Sequence, residues 1–177
     1  MKRQGLIVVN TGGGKGKTTA ALGLMLRSCG YNMRGVMIQF IKGSWFYGEK
    51  KSFTRLSPNF KLITAGRGFV GIIDDKLPRD DHKIAAKNAL DISLKEVKNS
   101  ENDIVVLDEI NYAVNLGLIS EDDVISIIDQ KYPSIHLVLT GNFATEKIIG
   151  LADTVTEMKE IKHAYQKGKK AQIGVDY

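Results

Sequence analysis

The segment NTGGGKGKTT, residues 10–19, decides the fold of this chain. The β-branched run Gly5–Asn10 leads into it, and helix formers follow at once in Lys17–Cys29, where apolar residues recur three and four positions apart. A strand, a glycine-rich loop ending in Gly-Lys-Thr and a helix, in this order, are the context of a P-loop. The segment therefore predicts a phosphate-binding loop between the first strand and the first helix.

The chemistry of this loop indicates that it binds the phosphates of a nucleotide. Glycines allow backbone N–H groups to converge on phosphate oxygens, and the helix N-terminus adds partial positive charge. We expect Lys17 to neutralise phosphate and the Thr18 hydroxyl to bind Mg²⁺. The residues predicted to contact the nucleotide are Gly12, Gly13, Gly14, Lys15, Gly16, Lys17, Thr18 and Thr19. The loop is an unusual subtype, because Thr11 stands where the standard pattern has its first glycine.

Apolar runs and helical patterns alternate along the rest of the chain. Further strands are predicted at Gly35–Ile41, Phe60–Thr64, Ile104–Glu109, Ile135–Thr140 and Asp153–Met158. Further helices are predicted at Arg79–Asn99, Glu121–Gln130 and Glu146–Leu151. This alternation predicts an α/β fold, a P-loop (RecA-like) mainly parallel sheet flanked by helices. Since no linker or repeat interrupts the pattern, residues 1–177 are predicted to form a single domain.

The helix predicted from residue 79 has an apolar stripe. Its members are Ile84, Ala85, Ala89, Ile92 and Val97. His82 lies beside two aspartates at the start of this helix and is predicted to be exposed to solvent. His136 lies within an apolar strand pattern and is predicted to have a structural role.

Composition excludes several classes of protein. Cys29 is the only cysteine, so no internal disulfide can form and a reducing cytoplasm is expected. No apolar run reaches membrane-spanning length, so no membrane association is predicted. The net charge of +5 suits nucleic acid or a polyphosphate ligand. The lysine-rich tail lacks the interleaved aromatic residues of single-strand binders, so nucleic acid is not the predicted partner.

A pair of carboxylates completes the predicted nucleotide site. Asp108 and Glu109 end a buried strand, and the carboxyl edge of an open parallel sheet is where ligands bind. One of them can hold Mg²⁺ or a water bound to it, beside Thr18, since oxygen ligands suit this cation. Glu109 could position water in a P-loop ATPase or accept a proton in a kinase. The two motifs leave these activities open.

Several blocks along the chain share a family pattern. They are TGGGKGKTTAALGLMLR (Thr11–Arg27), QFIKGSWFYGE (Gln39–Glu49), GRGF (Gly66–Phe69), VVLDEINYAV (Val105–Val114), LTG (Leu139–Gly141), ADTVTEM (Ala152–Met158), KHAYQKG (Lys162–Gly168) and AQIGVDY (Ala171–Tyr177). In these blocks the chain resembles the P-loop type of cob(I)alamin (corrinoid) ATP adenosyltransferases, nearly from end to end. Thr11 in place of glycine also matches this family.

The resemblance implies a transfer to cobalt rather than a phosphoryl transfer. In this family the Co(I) of a reduced corrinoid attacks the ribose C5′ of ATP, giving adenosylcobalamin and triphosphate, in cobalamin biosynthesis or salvage. ATP is bound in the reverse orientation to that of hydrolytic P-loop enzymes. Lys17, Thr18 and Glu109 are the implied catalytic residues, with Lys15 also on the triphosphate. A reduced flavoprotein as electron donor and a homodimer are implied as well.

The resemblance also implies contacts outside the loop. Arg27 matches an arginine that touches the nucleotide, although capping of the helix dipole is an equal alternative. Phe69 and Trp45 are the candidate corrinoid contacts. Gly71 stands where the family has a second aromatic residue. This departure motivates one alternative, a nucleotide-gated corrinoid-binding protein without turnover, beside the P-loop ATPase or kinase.

Overall fold

The protein forms one six-stranded sheet. The computed structural model describes residues 4–43, 45–68, 70–71, 75 and 77–177. The strands are β1 (Ile7–Thr11), β2 (Gly35–Gln39), β3 (Phe60–Thr64), β4 (Ile104–Asp108), β5 (His136–Thr140) and β6 (Thr154–Glu157). Their order is β3-β2-β4-β5-β1-β6, and every pairing is parallel. The carboxyl ends of all six strands therefore meet at one edge.

Helices connect the strands. They are α1 (Lys17–Cys29), α2 (Gly48–Leu56), α3 (Arg79–Lys98), α4 (Ile110–Asn115), α5 (Glu121–Asp129) and α6 (Glu146–Leu151), followed by a 3₁₀ helix at Ala164–Lys167. The predicted fold class, a mainly parallel P-loop sheet flanked by helices, is confirmed. Within the described ranges, no helix is both long and apolar enough to cross a membrane.

The sheet has a hydrophobic core on each face. Along β2, Val36 and Ile38 pack with residues of α3 and α5, whereas Met37 packs with Met25 of α1 and Phe53 of α2. This alternation follows from the two-residue period of a strand. Since helices cover both faces, every residue of β2 and β4 is buried. The covered faces leave the carboxyl edge of the sheet open for ligands.

The buried stripe of α3 differs from the predicted one. Ala85, Ala89 and Val97 are buried as expected, but Ile84 is 60% exposed. The stripe passes instead through His82, Ala86, Leu90 and Ser93. These positions keep the helical period with the alanines, whereas Ile84 lies to one side of it.

The predictions for His82 of α3 and His136 of β5 have different outcomes. The prediction of an exposed His82 is wrong: it is 3% exposed, and its Nε2 lies 3.1 Å from Asp75 Oδ1. Asp75 precedes the helix and also accepts hydrogen bonds from the N–H groups of Gly71 and Leu77. The structural role of His136 is confirmed, because its Nδ1 accepts a hydrogen bond from the Leu6 N–H at 3.1 Å.

Candidate functional site

The glycine-rich loop is shaped by close packing against the chain after β6. The Gly14 N–H donates to the Met158 carbonyl oxygen at 2.6 Å, and a Cβ on Gly14 would lie 2.7 Å from the same oxygen. Gly12 has a φ of +91°, a conformation that side chains disfavour. Thr11 is the last residue of β1, and its hydroxyl accepts a hydrogen bond from the Ala144 N–H. Threonine therefore has a structural use at the position where the standard pattern has glycine.

Lys17 lies at the first turn of α1 with its ammonium folded over the loop. Its Nζ donates to the carbonyl oxygens of Gly12 and Gly14, each at 2.8 Å. The residue is 9% exposed, and this burial lowers the pKa of the ammonium, while Glu109 and Asp108 oppose the shift. A phosphate in the loop would place an anion beside this buried ammonium.

Asp108 holds the end of β4 to its neighbours. Its Oδ1 accepts hydrogen bonds from the hydroxyls of Thr18 and Thr140, both at 2.8 Å. Its Oδ2 accepts from Gln39 Nε2 at 3.3 Å. Because Asp108 is 0% exposed and already has three donors, its main effect is to orient the Thr18 hydroxyl at the start of α1. The predicted pair of Thr18 and Asp108 is thus brought together.

Glu109 is the more available of the two carboxylates. Its φ of +63° is unusual for a residue with a side chain, and such backbone strain concentrates at functional sites. Burial, with Asp108 as a second cause, raises the pKa of Glu109 to about 7, whereas Lys17 and Lys42 act in the opposite direction. The negative charge of Glu109 is therefore undercompensated, as expected of a carboxylate that binds a cation.

A second lysine lies at the site that sequence analysis missed. Lys42 Nζ lies 2.6 Å from Glu49 Oε1, 3.8 Å from Asp108 Oδ2 and 4.7 Å from the centre of the Tyr47 ring. Burial opposes ionisation of Glu49, but the hydrogen bond from Lys42 prevails and lowers the pKa of Glu49. The block Gln39–Glu49 carried part of this signal in the sequence, since it contains Lys42 together with Tyr47 and Glu49.

Thr140 is a second missed residue, and its hydroxyl has two buried partners. It donates to Asp108 and accepts the Glu109 N–H at 2.9 Å. We expect Thr140→Val to destabilise the protein by about 1–3 kcal/mol, because the Glu109 N–H would lose its acceptor and the buried Asp108 would lose one of its three donors. Urea unfolding measures this loss. Thr140→Ser keeps the hydroxyl and serves as control, and an equal loss in both variants would contradict the role of the hydroxyl.

The donor set suits Mg²⁺. The hydrogen bond between Thr18 and Asp108 brings two side-chain oxygens together, Glu109 follows Asp108 directly in sequence, and oxygen is the preferred ligand of this hard cation. Across the described residues, no group of three or more His, Cys, Asp or Glu side chains could hold a metal on its own. Phosphate and water would have to supply further ligands, which is how Mg²⁺ is usually bound in nucleotide sites.

The remaining predicted residues lie outside the glycine-rich loop in sequence, and Arg27, Trp45 and Gly71 are among the described ones. Arg27 is exposed in the last turn of α1, about 15 Å along the helix from Lys17. Trp45 is 58% exposed, and its carbonyl oxygen accepts a hydrogen bond from Lys50 Nζ. Phe69 lies outside the described residues. Gly71 has a φ of +72°, which explains a glycine at the position of the family's second aromatic residue.

A cavity of about 710 Å³ lies at the carboxyl end of β3. Its wall includes the chain from Thr64 to Arg67, which precedes Phe69 in sequence, and the exposed side chain of Ile84 on α3. Polar groups are contributed by Lys50, Asp81 and Asn88. The hydrogen bond from Thr64 to Gln39 Oε1 connects the cavity wall to Asp108 of the nucleotide site.

Comparison with known proteins accounts for the whole chain. The family model described as ATP:corrinoid adenosyltransferase BtuR/CobO/CobP matches residues 3–177. The chain belongs to this family. A corrinoid adenosyltransferase of Sinorhizobium sp is 38% identical over 176 residues, covering 98% of this chain and 81% of its own length. The corrinoid adenosyltransferase of Escherichia coli K12 is 33% identical over 174 residues, covering 98% of this chain and 86% of its own.

A solved structure supports the fold alone. A KaiC-like protein from the archaeon Pyrococcus horikoshii OT3 superposes with a TM-score of 0.60 at 19% identity, covering 90% of this chain and 75% of its own. The sheet with its flanking helices is therefore shared with a protein of low sequence similarity. The comparison agrees with the predicted RecA-like P-loop fold.

Proposed function

We propose that the protein transfers the 5′-deoxyadenosyl group of ATP to the Co(I) of a reduced corrinoid, giving an adenosylated corrinoid and triphosphate. The observation that carries this proposal is the loop site of Lys17, Thr18, Asp108 and Glu109 in a chain that matches the adenosyltransferase family over residues 3–177. Membership of the family of transferases separates it from other P-loop proteins with similar loops.

In this reaction the protein mainly has to stabilise the leaving group, triphosphate. The cobalt–C5′ bond forms with an electron pair of Co(I), the C5′–oxygen bond breaks, and triphosphate departs with that bonding pair. Since cobalt is the nucleophile, no protein base is required. The protein contributes orientation of C5′ and stabilisation of charge on triphosphate. Lys17, Lys15 and the loop N–H groups provide this stabilisation.

Mg²⁺ belongs to the same proposal. Thr18 and Glu109 would hold it, with Asp108 fixing the Thr18 hydroxyl through their 2.8 Å hydrogen bond. When bound, the cation would neutralise charge on the departing triphosphate. The undercompensated Glu109 carboxylate supports this assignment.

The cavity at the end of β3 is the proposed corrinoid site. Corrinoids carry amide side chains around an apolar macrocycle, and the cavity combines Arg67, Asp81 and Asn88 with the apolar side chains of Leu77 and Ile84. Trp45 and Phe69 are proposed as further corrinoid contacts from the family resemblance. Arg27 is proposed to contact the nucleotide on the same basis.

The cellular setting follows from the chemistry. Co(I) must be generated by a reductant, and a reduced flavoprotein is the proposed donor. A cytoplasmic location agrees with the single cysteine, Cys29. A homodimer is proposed from the family, and exposed apolar side chains on the last part of the chain, Ile161, Tyr165 and Ile173, offer surface for it.

An anaerobic assay with Mg²⁺, ATP and chemically reduced cob(I)alamin tests the proposal. The expected result is conversion of the corrin spectrum to that of adenosylcobalamin, with one triphosphate for each corrinoid. Formation of ADP and phosphate would instead support an ATPase or a kinase. Corrinoid binding without turnover would support the carrier alternative that Gly71 motivates.

A further inference from the structure

The last residues of the chain return to the glycine-rich loop. Lys15 Nζ lies 2.6 Å from Asp176 Oδ1, although 161 positions separate the two residues. The other oxygen of Asp176 accepts the Gln172 N–H at 2.7 Å, and the Gly174 N–H donates to the Tyr177 carbonyl oxygen at 2.8 Å. Residues 172–177, called here the C-terminal strap, thus form a hydrogen-bonded turn attached to the loop through one ion pair.

The strap extends from the loop toward α2. A Cβ on Gly48, the first residue of α2, would lie 3.9 Å from the carbonyl carbon of Tyr177. The loop follows β1 and α2 follows β2, and in the sheet β4 and β5 lie between these two strands. The strap therefore contacts both the glycine-rich loop that follows β1 and the start of α2, which follows β2.

The strap brings negative charge to a cationic loop. Asp176 is anionic at neutral pH, and the glycine-rich loop carries Lys15 and Lys17. The hydrogen bond from Lys15 and that from the Gln172 N–H hold the pKa of Asp176 below its usual range. A carboxylate that forms an ion pair with a loop lysine competes with a phosphate for the same ammonium group.

We propose that Asp176 is a positioning residue that competes with triphosphate for Lys15. In the nucleotide-free protein it holds Lys15 as an internal anion, and the phosphates of ATP displace it and release the strap. After adenosyl transfer, the return of Asp176 to Lys15 promotes departure of triphosphate. The inference rests on the proposed function, because it requires Lys15 to contact the triphosphate.

Binding of tripolyphosphate with Mg²⁺ to the full chain tests the competition without a corrinoid. Asp176→Asn removes the charge and keeps the size of the side chain. We expect its Kd for tripolyphosphate, measured by calorimetry at low salt, to fall about three- to fivefold, the range available to an exposed ion pair. The effect should vanish in a Lys15→Ala background. In turnover assays the KM for ATP should fall while kcat does not rise, a split that a structural defect would not produce.

Asp91→Asn is the matched control, since Asp91 is an exposed aspartate on α3. Unchanged or weaker tripolyphosphate binding by Asp176→Asn would overturn the inference, and so would an equal gain in the control. If the wild-type protein itself fails to bind both tripolyphosphate and ATP, the proposed nucleotide site is overturned and this inference with it. If the wild-type protein binds tripolyphosphate but Asp176→Asn does not bind it more tightly, only the inference about the strap is overturned.

Discussion

Replacing Lys17 by alanine is expected to reduce adenosyl transfer at least about 100-fold while the protein stays folded. The ammonium donates hydrogen bonds to the carbonyl oxygens of Gly12 and Gly14. Its removal takes away charge stabilisation of the departing triphosphate and deletes a buried cation. The measurement is the initial rate of adenosylcobalamin formation at saturating ATP, together with a thermal unfolding curve.

Two further variants test whether the loss of activity depends on the position and shape of the charged group at residue 17. Lys87→Ala removes an exposed lysine from α3 and should leave the rate unchanged. Lys17→Arg keeps the charge but replaces a compact ammonium by a wider planar group, so it should recover little activity in this buried position. A wild-type rate in Lys17→Ala would show that Lys17 does not act on triphosphate.

The sequence predicted the elements whose ends carry local signals. The bounds of α1 are confirmed at both ends, because Gly16 and Gly30 flank an unbroken helical pattern. By contrast, α2 was missed: its sequence GEKKSFTRL is mostly polar, and Phe53 is its one buried residue. The short α4 was missed because it begins directly after Glu109, whose left-handed backbone turns the chain with no glycine or proline to signal it.

Some residues of the candidate site could also be predicted from the sequence, and others could not. The P-loop and the two carboxylates could be predicted because each lies in a short contiguous motif. Thr140 and Gln39 could not, since they meet Asp108 only through the strand order β2-β4-β5, which the sequence pattern does not specify. The contact between Asp75 and His82 escaped for a related reason: it joins a loop residue to a helix. Motifs therefore indicate which groups act, and the topology decides which groups support them.

Glu109→Gln is expected to abolish most adenosyl transfer and, at the same time, to stabilise the metal-free protein. Glutamine keeps the shape of the side chain but loses the charge that would hold Mg²⁺, so the rate should fall at least about 100-fold. The wild-type carboxylate is partly buried beside Asp108, and its ionisation opposes folding. Removing that charge should raise the free energy of unfolding by about 1–3 kcal/mol at pH 8.

The pH dependence of this gain distinguishes it from a packing effect. Burial and Asp108 raise the pKa of Glu109 in the folded protein to about 7 from 4.5, so above pH 7 the carboxylate is ionised in both states and destabilises the folded one. Below pH 4.5 it is protonated in both, and wild type and variant should converge. Urea unfolding in EDTA at pH 8 and at pH 5 measures the difference, with Glu101→Gln, at an exposed position, as control. A gain that is equal at both pH values would reject the electrostatic origin, because a neutral packing change has no reason to follow the titration of Glu109.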